Sequence, residues 1–142
     1  MLGVGYGIAA TRGGRPIQTG SVANIRLSSK TARMVRDGKL RNMKFYDLRE
    51  HFKEHAADFG FDSLQKYLEH ALSNVAKGHR VKFTVQGGLF GSVPRYNFIS
   101  KIGPGKWAVT STNLSKNKIF THHVWGPSDI INKGIKLPKG LR

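Results

Sequence analysis

The sequence predicts an α+β domain in which helices come first and a four-stranded antiparallel sheet follows. Two observations carry this reading. Between residues 47 and 77 the apolar side chains recur at helical spacing. Beyond Gly78 they alternate one by one with polar residues, the period of a half-buried strand.

The first helix opens at Asp47, a residue suited to capping, with Glu50 three positions on in a capping-box arrangement. Leu48, Phe52, Ala56 and Phe59 form its apolar stripe, and Gly60 stops it. Asp62 and Gln65 repeat the opening signature. Leu64, Tyr67, Leu68, Ala71, Leu72 and Val75 then give a second helix a full apolar face, closed by Lys77-Gly78.

Val81, Phe83 and Val85 define the first strand, and Gly87-Gly88 turns the chain. Tyr96 and Phe98 mark a second strand ending at Gly103-Pro104-Gly105. Trp107–Thr112 and Lys118–Trp125 read as the third and fourth, joined by the polar turn Asn113–Asn117. Residues 126–142 look irregular. Residues 1–35 hold Gly, Ser and Arg without a sustained period, so they read as a flexible basic lead or linker before a single domain of residues 36–142.

Composition narrows the function. The 142 residues include 24 Lys or Arg against 8 Asp or Glu, a net charge of +16, and no cysteine. A disulfide scaffold and a thiolate zinc site are excluded. No apolar run approaches the ~20 residues that span a bilayer. In the apolar stretch Met1–Ala10 the basic residues Arg12 and Arg15 follow rather than precede, so it does not read as a secretory signal. The charge is also segregated. Residues 37–69 hold seven of the eight acidic groups, whereas residues 70–142 hold twelve basic side chains and only Asp129. That bias fits a polyanionic partner, nucleic acid first and an acidic protein second.

The chemistry-bearing residues are the histidines. His51 and His55 stand four apart and project from one side of the first helix. On the last strand Ile119, Thr121, His123 and Trp125 are expected on one face, and Phe120, His122 and Val124 on the other. His70 and His79 read as structural or solvent-exposed. RNA carries its own nucleophile, the 2′-hydroxyl, so its cleavage needs only a base, an acid and groups that stabilise the phosphorane. Imidazoles suit the first two roles. His51, His55 and His123 are the acid/base candidates, and Lys53 and Thr121 are suited to the phosphate. Arg49, Arg80, Lys82, Arg95, Lys106 and Lys118, with Thr110 and Trp125, are the candidates for RNA contact. No cofactor is called for. A Mg²⁺-dependent nuclease fits poorly, because the sheet half holds one carboxylate. His51 and His55 lack the Glu directly after the first His that the zinc-protease form requires. A His-Asn-His metal nuclease built on His122, His123 and Asn132 is the enzymatic rival, but no later histidine completes it. A non-catalytic basic module that stacks bases on Tyr96, Phe98 or Trp107 is the other rival.

The run Leu48-Arg-Glu-His-Phe-Lys-Glu-His-Ala-Ala-Asp-Phe-Gly60, followed by Ser63-Leu-Gln-Lys-Tyr-Leu-Glu-His-Ala71, resembles the "HF-x-KH-x-x-x-FG … YL-x-x-A" opening of C-terminal toxin domains from contact-dependent inhibition and other polymorphic toxin systems. Those domains belong to the barnase/EndoU/colicin D/RelE-like ribonuclease group. Lys106-Trp-Ala-Val-Thr110 and Lys118-Ile-Phe-Thr-His-His123 are similar to the group's paired strands. The resemblance covers roughly residues 45–127. It implies a twisted sheet and metal-independent cleavage of RNA, often tRNA, to a 2′,3′-cyclic phosphate. By position it places His51, Lys53 and His55 in the helical catalytic set and matches Thr121 to the strand hydroxyl. Glu54 departs from the pattern where a second basic residue is usual, and His123 where an aromatic is common. It further implies an acidic immunity protein, and delivery as part of a larger secreted or cell-surface protein that acts in the target-cell cytoplasm.

Overall fold

A computed structural model describes residues 5–7, 16–19, 22–26, 28–36, 43–86, 92–116 and 118–142. Their elements in order are β1 (Gly5–Gly7), β2 (Pro16–Thr19), β3 (Val22–Arg26), α1 (Ser29–Arg36), β4 (Lys44–Tyr46), α2 (Leu48–Phe59), α3 (Leu64–Lys77), β5 (His79–Gln86), β6 (Ser92–Gly103), β7 (Lys106–Thr112), β8 (Lys118–Trp125) and α4 (Pro127–Asn132). A short 3₁₀ turn, Lys139–Leu141, closes the chain.

The α+β class holds, but the sheet is larger than expected and mixed. Its order is β1-β4-β8-β7-β6-β5. The four expected strands, β5 to β8, form an antiparallel meander. The correction lies at the other side. Three-residue β4 pairs in parallel with β8, Lys44 against Lys118 and Phe45 against Ile119, and β1 lies antiparallel on β4. A strand of three residues is too short to show a period, so nothing in Lys44-Phe45-Tyr46 marked it. Residues 1–35, read as a lead, contribute β1, the β2–β3 pair and most of α1. Thr31 is buried, and its hydroxyl donates to a Glu69 carboxylate oxygen on α3 at 2.5 Å.

Both expected helices form, with different caps. Asp47 precedes α2 in the left-handed region, φ 54°, and its side chain caps nothing; it makes the turn out of β4 instead. Gly60 ends α2 at φ 80°, where a side chain would be strained. For α3 the cap is Ser63, not Asp62: Ser63 Oγ accepts from the Lys66 backbone N–H at 3.1 Å. Asp62 pairs with the Lys66 ammonium, also at 3.1 Å. Gly78 leaves α3 so tightly that a Cβ there would meet the Asn74 carbonyl at 2.5 Å.

Two apolar layers sandwich the sheet. On the helical side Tyr67, Leu68, Ala71, Leu72 and Val75 of α3 pack with Leu48, Phe45 and Ile119. On the other side Ile99, Trp107, Val109 and Trp125 pack with Ile130 of α4 and Leu137. The stretch read as irregular therefore covers the second face. α4 begins where the Gly126 backbone N–H donates to Asp129 at 2.8 Å. Leu68 and Leu72 are fully buried, so truncating either to Ala costs ~2–5 kcal/mol.

One irregularity decides what β8 presents. Ser111 pairs with Thr121, but its neighbour Thr112 pairs with Ile119, so Phe120 is an extra residue on β8. The expected alternation breaks there. Ile119 joins His122 among the residues buried on the helical side, while Thr121, His123 and Trp125 share the opposite side.

Candidate functional site

β4 covers β8 only at Lys118 and Ile119. α2 leaves β4 through Asp47 and lies alongside the rest of β8. His51 and His55, one turn apart, stack with ring centroids 5.8 Å apart and 19° between planes. The His55 ring lies 5.5 Å from that of His123. His123 Nδ1 meets Thr121 Oγ1 at 2.9 Å. Imidazoles from the first long helix and the last long strand therefore converge, with a hydroxyl beside them.

The protonation state of His123 follows from its partners. The Trp125 indole N–H donates to His123 Nε2 at 2.5 Å. Indole can only donate, so Nε2 is the unprotonated nitrogen and Nδ1–H points at Thr121. The Thr121 hydroxyl, accepting from Nδ1, keeps its own proton to give to another acceptor. Burial lowers the His123 pKa to about 4, assisted by His55, His51 and Lys133 and opposed by Asp129. Burial, then His55, also lowers His51, against the pull of Glu54, Asp47 and Glu50. Among the described residues the buried His51 Nδ1 finds no hydrogen-bond partner.

The structure does not bring every expected residue to this cluster. Lys53 is two positions from each helical histidine, ~200° around the helix. It pairs with Glu50 at 3.6 Å in the exposed layer, away from the imidazoles. Thr110 and Trp125, expected to contact RNA, are buried, at 0 % and 6 % exposure. Thr110 Oγ1 accepts from Asn74 Nδ2 at 2.9 Å and meets His122 Nδ1 at 2.7 Å, so it braces the core. Trp125 positions His123.

The basic candidates are exposed at Arg49, Arg80, Lys82 and Lys106 and half-buried at Arg95 and Lys118. Arg80 lies over the Tyr96 ring at 4.7 Å, Arg95 over Phe120 at 4.0 Å, and Lys118 over Tyr46 at 5.5 Å. β5, which carries Arg80 and Lys82, is three strands from β8, roughly 14 Å at ~4.8 Å per strand. A cation that acts on the cluster was missed. Lys133 follows α4, sits over the Trp125 ring at 5.2 Å and acts on His123. The signal was Gly126-Pro127 with Asp129 three residues after the glycine, a helix start that brings Lys133 back to the sheet.

His122 has a different fate from its neighbour. It is fully buried, and its Nε2 meets His70 Nδ1 at 2.9 Å while its Nδ1 holds Thr110. Tyr67 donates its hydroxyl proton to the His122 carbonyl. Burial, then His70, holds the His122 pKa well below the ordinary value. With both nitrogens used, His122 is not available for the His-Asn-His arrangement. His70 lines a cleft of about 330 Å³ with Lys30, Lys66 and Glu69.

For a metal, His51, Glu54 and His55 offer donor atoms that all lie within 4.8 Å of one another. Comparison of the chain with family models, with curated proteins and with solved structures finds no match in any of the three.

Proposed function

We propose that the chain is a metal-independent endoribonuclease toxin that cleaves RNA, with tRNA as the substrate, through attack of the 2′-hydroxyl. The observation that carries this reading is the approach of His51, His55 and His123 at the β8 edge, with Thr121 beside them, on a strongly basic chain. His51, held neutral by burial, takes the proton of the 2′-hydroxyl as its oxygen attacks phosphorus. The bond to the 5′-oxygen breaks, and that oxygen takes a proton from His55, whose Nε2 lies 3.5 Å from the Glu54 carboxylate. The products are a 2′,3′-cyclic phosphate and a 5′-hydroxyl. The Thr121 hydroxyl donates to a non-bridging oxygen, and Lys133 supplies charge that the sequence assigned to Lys53. His123 positions Thr121.

The resemblance of residues 48–71 to polymorphic-toxin domains supports the same reading and adds an acidic immunity protein as partner and delivery within a larger protein. A cationic surface pairs quickly with such an inhibitor. The rival base-stacking module draws less support: Phe98 and Trp107, two of its three aromatic platforms, are buried.

Incubating the purified chain with total tRNA in EDTA tests the proposal. Fragments ending in a cyclic phosphate are the expected result, with loss of ~10²–10⁴-fold in rate for His55→Ala. Intact tRNA overturns it for that substrate. Cleavage that EDTA abolishes favours the metal-dependent rival. Salt-dependent binding without cleavage favours the stacking module.

A further inference from the structure

We propose that His51, Glu54 and His55 also hold a divalent transition-metal ion of the zinc type, His51 and His55 through imidazole nitrogen and Glu54 through a carboxylate oxygen. Positions 51, 54 and 55 have the i, i+3, i+4 spacing that puts three side chains over one patch of helix. Two histidines four apart on a helix are a recurring zinc pair; in such motifs the neighbouring Glu serves as a base, whereas here the carboxylate of Glu54 lies close enough to be the third donor. The donor atoms lie within 4.8 Å of one another. In a tetrahedral site with ~2.0–2.1 Å bonds they stand about 3.4 Å apart. Glu54 is 63 % exposed, so its free rotamers close that gap.

A second observation points to a ligand here. Among the described residues the buried His51 Nδ1 finds no hydrogen-bond partner, a cost that coordination or a proton transfer through that nitrogen would remove. Donor type selects the ion: two imidazoles and one carboxylate suit Zn²⁺ and exclude a Mg²⁺-like preference for oxygen alone. His123 stays outside the ligand set, because Thr121 and Trp125 occupy both its nitrogens.

The consequence for activity rests on the ribonuclease reading. Zinc at His51 and His55 takes the lone pairs that acid/base transfer uses, so the metal is an inhibitor of cleavage rather than its cofactor. The toxin would be silent while loaded and active once a chelator or a zinc-poor compartment strips the ion.

The test is zinc binding by the tag-free chain, read by competition with a chromophoric chelator. One Zn²⁺ per chain is expected, undisturbed by excess Mg²⁺. Glu54→Gln, an exposed change that leaves the core intact, and His55→Ala are expected to weaken binding at least ~10-fold. His79→Ala, on β5, is expected to bind as the parent does. No binding, or equal binding by Glu54→Gln, His55→Ala and His79→Ala, overturns the site whatever the cleavage assay shows. Added zinc is expected to stop tRNA cleavage, and full cleavage by the zinc-loaded chain overturns the inhibitory role. A chain that binds zinc but leaves tRNA intact in EDTA overturns the ribonuclease reading and leaves the metal site standing.

Discussion

The indole of Trp125 donates to Nε2 of His123, and this one bond fixes which nitrogen of the ring carries the proton. The bond is possible because the two residues, two positions apart on a strand, project together. Donation to Nε2 favours the neutral ring. Trp125→Phe keeps a buried aromatic ring and removes the donor. The His123 pKa, about 4 in the parent, is expected to rise by roughly half to one unit, the worth of one hydrogen bond. A histidine-resolved NMR titration reads this, and an unchanged value would show that the indole bond does not govern the ring.

Stability is expected to depend on pH in a defined window. Burial lowers the pKa of His51, His70, His122 and His123 in the fold, while in the unfolded chain these rings titrate near ~6.5. Below that pH the unfolded state binds protons that the folded state refuses. The contribution is therefore complete above ~6.5 and is lost as pH falls toward the folded values, about 4 for His123. For the fully buried His122 and the half-buried His123 the loss approaches about 1.4 kcal/mol per pH unit each. Urea midpoints measured from pH 7 to pH 4 should fall steeply; a flat series would mean that the rings are protonated in the fold.

Thr110→Val separates bracing from binding. It keeps the shape of the side chain and removes a hydroxyl held between Asn74 and His122. Leaving those buried partners unpaired costs ~1–3 kcal/mol. The melting temperature should drop while RNA affinity at a permissive temperature stays the same. Weakened affinity with unchanged melting would return Thr110 to the contact surface.

Lys133 and Lys53 give opposite expectations. Lys133→Ala removes the cation on the Trp125 ring beside His123 and should lower cleavage and reduce the salt slope of RNA binding by roughly 0.7–0.9. Lys53→Ala breaks only an exposed pair with Glu50 and should change cleavage less than twofold, since such pairs are worth ~0–1 kcal/mol. Equal losses in the two variants would bring the Lys53 side of α2 into the site.

Much of the architecture was legible because α2, α3 and the four long strands carry their periods openly. Tyr67, Leu68, Ala71, Leu72 and Val75 all proved buried. The pairing of Thr121 with His123 followed from simple alternation, and so did the facing of Trp125. What was hidden has physical reasons. Asn74 sits inside an apolar stripe, and nothing in the sequence says that its amide will pin α3 to Phe98 and Thr110. β4 gains its order from β8 rather than from its own three residues. Lys53 looked close because sequence distance is short, whereas the helix turns it away. His122 and His123 are adjacent, yet strand geometry sends one into the core and one to the edge.

The supernumerary Phe120 makes the last strand tolerant of a length change at one point. Removing it would restore an unbroken ladder and leave Ile119, Thr121, His122 and His123 facing as they do now. Adding a residue between Thr121 and His122 would swap inside for outside from that point on, burying one imidazole and expelling the other. In return for its place Phe120 offers its ring to Arg95 and Lys118. The spacing of this strand is thus a hinge between two outcomes: a deletion that the fold absorbs and an insertion, a few positions later, that erases the site.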